Sequence, residues 1–101
     1  MQEPHEYVVD VSGATSWEEV IAAFNLGFVH PVGGNWGGGL EAFNDYLSWP
    51  DDPSYRLIVK GWEQCVNSIK EPKDSDGRSY IGIVASILLT TDYANVVFAK
   101  N

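Results

Sequence analysis

Apolar and polar positions along this chain lay out most of its elements before any other property is considered. Tyr7-Val8-Val9-Asp10-Val11 is short, β-branched and stopped by Ser12-Gly13, which predicts a first strand. Ser16 then serves as a helix N-cap, with Glu19 completing a capping box. Trp17, Val20, Ile21 and Phe24 recur at helical spacing and make that helix's buried stripe. Residues 27–39 hold six glycines and one proline, so an irregular loop is expected there. A second helix is expected over 39–48, with Leu40, Phe43 and Leu47 on its inner face. Pro50-Asp51-Asp52-Pro53 stops it in an acidic turn.

Arg56-Leu57-Ile58-Val59 predicts the second strand, and a short helix follows over 62–69. Residues 71–79 are polar, contain Pro72 and Gly77, and read as a loop. Tyr80, Ile83, Val84, Ile87 and Leu88 mark a largely buried helix, although their β-branched content leaves a strand open as the alternative. Val96-Val97-Phe98-Ala99 is the last strand. The order β-α-α-β-α-α-β with apolar strands predicts an α/β fold. Its expected form is a small three-stranded parallel sheet, packed against about four helices through right-handed crossovers. At 101 residues the chain is expected to form one domain, residues 1–101, without repeats or an internal linker.

Composition supports a folded globule, because 45% of residues are hydrophobic and 13% aromatic. No apolar run reaches bilayer length, and Met1 to His5 has neither the basic nor the apolar region of a secretory leader. Cys65 is the only cysteine, which excludes an internal disulfide and fits a reducing, cytoplasmic setting. The formal charge is −8, and residues 1–55 carry nine acids and neither Lys nor Arg. That field repels phosphate and anionic membranes, so neither nucleic acid nor membrane is an expected partner. A basic protein would be attracted.

Several constellations can be set aside. Gly33-Gly34 and Gly37-Gly38-Gly39 precede a helix but lack the Lys-Ser/Thr of a phosphate loop, and acids follow them. Asp74-Ser75-Asp76-Gly77 resembles a piece of a calcium loop. In that register Pro72 and Ile83 fall on the end positions and cannot coordinate, so a surface turn is expected, with Asp76 or Ser79 capping the next helix. His5 and His30 have no metal-ligand partner at short spacing, and Cys65 has no basic activator nearby. No metal, cofactor or catalytic residue is expected.

One stretch resists a purely structural account: Asn35 to Trp49, NWGGGLEAFNDYLSW. Glu41, Asn44, Asp45 and Ser48 share the helix face opposite Leu40, Phe43 and Leu47. Like charges one turn apart cost a helix about 0.2–0.5 kcal/mol, and Asp45 lies towards the end where the helix dipole disfavours an anion. Such a face is most often simply solvated. Here Trp36 and Trp49 bracket it, and large amphipathic rings beside charges on a rigid helix suit a protein-binding hot spot. Trp36 is expected at the surface with the glycine-segment amides, whereas Trp49 is equally open to a lid-like role against the domain.

Asn35-Trp36-Gly37-Gly38-Gly39 followed by Leu40-Glu41-Ala42-Phe43-Asn44-Asp45-Tyr46-Leu47, with Pro31 before it, resembles the barstar family of intracellular ribonuclease inhibitors. The element order over roughly the whole chain also fits that family's three-stranded parallel sheet. The resemblance implies that Asp45 takes the place of the acid that enters the nuclease's phosphate pocket, with Glu41 as its companion. It also implies that Trp36 or Asn35 replaces the aromatic covering the nuclease's catalytic histidine, and that Trp49 lies near the contact region. Gly39 stands where the family has Asn, unless Asn35-Trp36 is the matching pair, and Asp92 is the nearest acid to one the family carries late in its last long helix. The expected partner-facing set is therefore Asn35, Trp36, Gly37, Gly38, Gly39, Glu41, Asn44, Asp45 and Trp49. The expected function is a non-enzymatic, cytoplasmic, one-to-one inhibitor of a small microbial ribonuclease with a basic active site. The alternative is an acidic interaction module for another basic protein, and a small enzyme using Glu41 and Asp45 ranks last.

Overall fold

The computed structural model describes residues 5–52, 54–69 and 73–99. Strand β1 spans Glu6–Asp10, β2 Arg56–Lys60 and β3 Asn95–Ala99. Helices α1 (Trp17–Phe24), α2 (Leu40–Tyr46), α3 (Trp62–Ser68) and α4 (Tyr80–Thr90) lie between them. The three strands form one parallel sheet in the order β1-β2-β3, with Val8 level with Ile58 and Val97. The α/β architecture expected from the apolar pattern is the one observed, and residues 80–90 are helical rather than extended.

Alternation along the strands decides where the core sits. Val9, Leu57 and Val59 are fully buried, and they join Val20, Phe24, Phe28, Phe43, Val84 and Leu88 in one contiguous cluster. Aromatic rings fill much of it: Phe24 meets Phe43 edge-on at 5.2 Å, and Tyr7 meets Phe28 edge-on at 5.1 Å. The caps of α1 and α4 come from the residues the sequence suggests. The Ser16 and Ser79 hydroxyls accept from the backbone N–H of Glu19 and Gly82. Glu19 reaches back to the N–H and hydroxyl of Thr15 rather than to the Ser16 N–H, a variant of the expected box. Those bonds hold its carboxyl below the usual range.

One element differs from expectation. Residues 27–39 were expected to be irregular throughout, but α1 runs on into a π-helical segment, Asn25–Val29, that buries Phe28 and Val29 completely. Gly27 lets this segment lie close to β1. Its Cα lies against the Val8 carbonyl, and any side chain there would collide with β1. Gly27 reads as a breaker in sequence, yet in the fold it lets a helical segment approach the strand closely.

The remaining acidic turns are structural. Asp74 accepts from the N–H groups of Asp76 and Arg78, each at 2.9 Å, and pairs with the Arg78 guanidinium at 3.2 Å. Asp52 accepts from the N–H of His5 and from the N–H and hydroxyl of Ser54, tying the entry of β1 to the turn before β2. Pro50 to Asp52 are non-helical, as expected of the acidic turn after α2, whereas Pro53 and residues 70–72, part of the 71–79 loop, lie outside the described residues. Among the described residues, no helix is long and apolar enough to cross a membrane.

Candidate partner-binding face

Helix α2 is two-sided. Phe43 and the following Leu47 are fully buried, while Glu41, Asn44 and Asp45 are exposed on the opposite face. Glu41 lies in the first turn, where the dipole favours it, and Asp45 in the last, where it does not. Ser48 falls just beyond α2, and its hydroxyl donates to the Asp45 carbonyl at 2.7 Å, closing the helix end. Among the described residues the ion pairs are Arg56–Glu6 and Arg78–Asp74, and none of these residues offers either acid of α2 a paired cation.

The glycine segment before α2 is pinned at both ends. Asn25, 8% exposed, uses both faces of its amide: Oδ1 accepts from the Trp36 N–H at 2.7 Å and Nδ2 donates to the Trp36 carbonyl at 2.8 Å. The Trp36 indole N–H donates to the Gly39 carbonyl at 2.8 Å. At the other end the Tyr46 hydroxyl donates to the Asn35 carbonyl at 3.0 Å. The Tyr46 ring also lies so close over Gly34 that a side chain at that position would strike it. The segment therefore runs alongside α2, from its last turn at Tyr46 back to its N-cap at Gly39.

Trp36 corrects the expectation. It is 2% exposed, packed against Phe43 at 5.0 Å and edge-on to Trp17 and Phe24. In this conformation it holds the loop to the core and cannot touch a partner. Its burial removes roughly 150–250 Å² from water, the usual yield of a large aromatic, and satisfies its one donor through Gly39. Trp49 differs: it remains 44% exposed, with its ring edge-on to Tyr46 at 4.7 Å. Asn35, Gly37 and Gly39 are exposed as expected, and Gly38 is half-buried against Trp17 and Ile21. Asn35 also lies 3.2 Å from His30 Nε2.

The outward surface is thus Asn35, Gly37 and Gly39, then Glu41, Asn44 and Asp45, then Trp49. A groove of about 240 Å³ adjoins it at the end of α2, lined by Ser48, Asp51, Asp92 and Tyr93 among others. Asp92, distant in sequence, therefore stands on the same side of the molecule as the last turn of α2. Sequence reasoning missed Asn25 and Tyr46, the two side chains that fix the glycine segment. A faint signal existed for Tyr46, whose place between Asp45 and Leu47 is an apolar-to-polar border.

Nothing here is arranged for nucleophilic chemistry by Cys65. Its thiol is buried, and desolvation pushes its pKa up to about 11. Compared with protein-family models, with curated proteins and with solved structures, the chain matches none.

Proposed function

We propose that this chain is a cytoplasmic, non-enzymatic inhibitor that blocks the active site of a small guanyl-type microbial ribonuclease, one molecule to one. The supporting observation is the two-sidedness of α2: Glu41, Asn44 and Asp45 stand exposed, while the helix beneath them and the glycine segment beside them are locked to the core. With the backbone that carries these carboxylates fixed before the encounter, only their side chains lose freedom on binding. An active site that binds phosphate with Arg, Lys and His offers the matching cations. Asp45 is assigned to the phosphate pocket and Glu41 to its rim, with Trp49 and Asn35 supplying flanking contact. The resemblance of residues 35–47 to the barstar family points the same way. The basic-free first half of the chain adds long-range attraction towards such a partner.

Titration of a panel of small guanyl-specific ribonucleases with the purified chain tests this reading. Loss of nuclease activity at a one-to-one ratio supports it. Full activity of every nuclease at micromolar inhibitor overturns it and favours an acidic module for some other basic protein.

A further inference from the structure

Among the described residues, the helices cover one face of the sheet and leave the other face bare. Val9, Leu57 and Val59 point into the core, so their neighbours Val8 and Ile58, with Val97 beside them, point away from it. Val8 is 44% exposed and Val97 46% exposed. Parallel sheets occur almost only with both faces covered, so this face is exceptional. Its charges are also exceptional for this chain. Glu6 is level with Arg56, at 3.3 Å, and Asp10 is level with Lys60, on either side of the Val8–Ile58 pair. Two acids and two bases make the patch neutral on a chain of net charge −8, so copies can meet here without local net repulsion.

We propose that a second copy of this chain covers the bare face, sheet against sheet, about a two-fold axis parallel to the strands and midway between β1 and β2. The charges select that axis. A rotation about it places β1 of one copy over β2 of the other at the same level. Glu6 then faces Arg56 of the second copy, Val8 faces its Ile58, and Asp10 faces its Lys60, each twice. An axis along β2 would set Arg56 over Arg56 and Lys60 over Lys60. An axis across the strands would set Glu6 over Asp10 and Arg56 over Lys60. Both alternatives oppose like charges, which disfavours them. The patch is small: five residues by three strands cover roughly 16 by 14 Å. That falls well short of the ~800 Å² per partner of a stable interface, so the dimer is weak and transient. Phe43 and Leu47 of the α2 region belong to the cluster on the covered side, so dimerisation leaves the acidic face free.

Sedimentation equilibrium of the full chain from about 10 µM to 1 mM, at about 0.15 M salt, tests the proposal without any nuclease. A reversible monomer–dimer equilibrium is expected. Glu6→Arg should raise the dissociation constant at least about tenfold, and Glu6→Arg with Arg56→Glu should restore it, because the swap recreates every pair. Val8→Lys should abolish the dimer, with thermal melts confirming that each variant folds. A monomer at every concentration, open-ended aggregates, an unchanged constant for Glu6→Arg, or no recovery in the double variant would each overturn it.

Discussion

Two sets of acids among the fourteen of this chain contrast with each other, and the contrast says more than their number. Asp10, Glu19, Asp52 and Asp74 each accept hydrogen bonds from neighbouring backbone N–H groups. Hydrogen bonds hold their carboxyls below the ordinary range, led by the Ser12 hydroxyl for Asp10, the Thr15 hydroxyl for Glu19, the His5 N–H for Asp52 and the Arg78 N–H for Asp74. They close turns and caps, so the fold uses their charge. Glu41 and Asp45 close nothing. They stand on a helix face whose local rules disfavour the pair, above a helix and loop fixed by Trp36, Asn25 and Tyr46. The first group holds the fold; the second makes no such bond, as the proposed binding role requires.

The contrast is sharpest where stability and binding separate. Trp36→Ala should cost about 3–5 kcal/mol of stability, because it empties a filled site between Trp17, Phe24 and Phe43 and frees the glycine segment. Urea midpoints would show it, and an unchanged midpoint would mean that Trp36 does not anchor the loop. Asp45→Ala should do the reverse. The fold keeps or slightly gains stability, while nuclease affinity falls by about 2–5 kcal/mol, because the partner's cations lose their counter-charge.

Asn25→Ala comes next, at about 1–3 kcal/mol, since it leaves the Trp36 N–H and carbonyl buried without partners. Glu41→Ala should cost only about 0.2–1 kcal/mol of binding, as expected of an exposed pair. The pH dependence separates the groups in another way. Carboxyls with depressed folded values contribute stability above the unfolded value of about 4, and that contribution is lost as pH falls through the folded value. Thermal melts from pH 6 to 2 should therefore show a declining midpoint below about pH 4, and Asp52→Asn should flatten that decline. An equal decline in the variant would remove Asp52 from the first group.

Much of this was legible in the chain. β-branched runs marked all three strands, and Ser16, with Asp76 or Ser79 further on, marked two helix starts, because those signals are local. Glu41, Asn44 and Asp45 were legible as an outward face because Leu40, Phe43 and Leu47 define the inward one. Trp36 was not legible. It sits among glycines with no periodic partner, and its burial depends on Trp17, Phe24 and Phe43 arriving from two other elements. Asn25 was hidden for the same reason, since its two bonds reach across eleven residues to Trp36. Gly27 misled because a glycine required for close approach looks the same in sequence as one that ends a helix.

The central claim, that the acids of α2 serve a partner and not the fold, is tested most directly by one paired measurement. Calorimetric titration of a small guanyl-specific ribonuclease with the native chain and with Asp45→Ala would be read beside the urea midpoints of the two proteins. One-to-one binding by the native chain is expected, weakened at least about thirtyfold in the variant at an equal or higher midpoint. Equal affinities, or a variant that binds poorly only because its midpoint has collapsed, would contradict it.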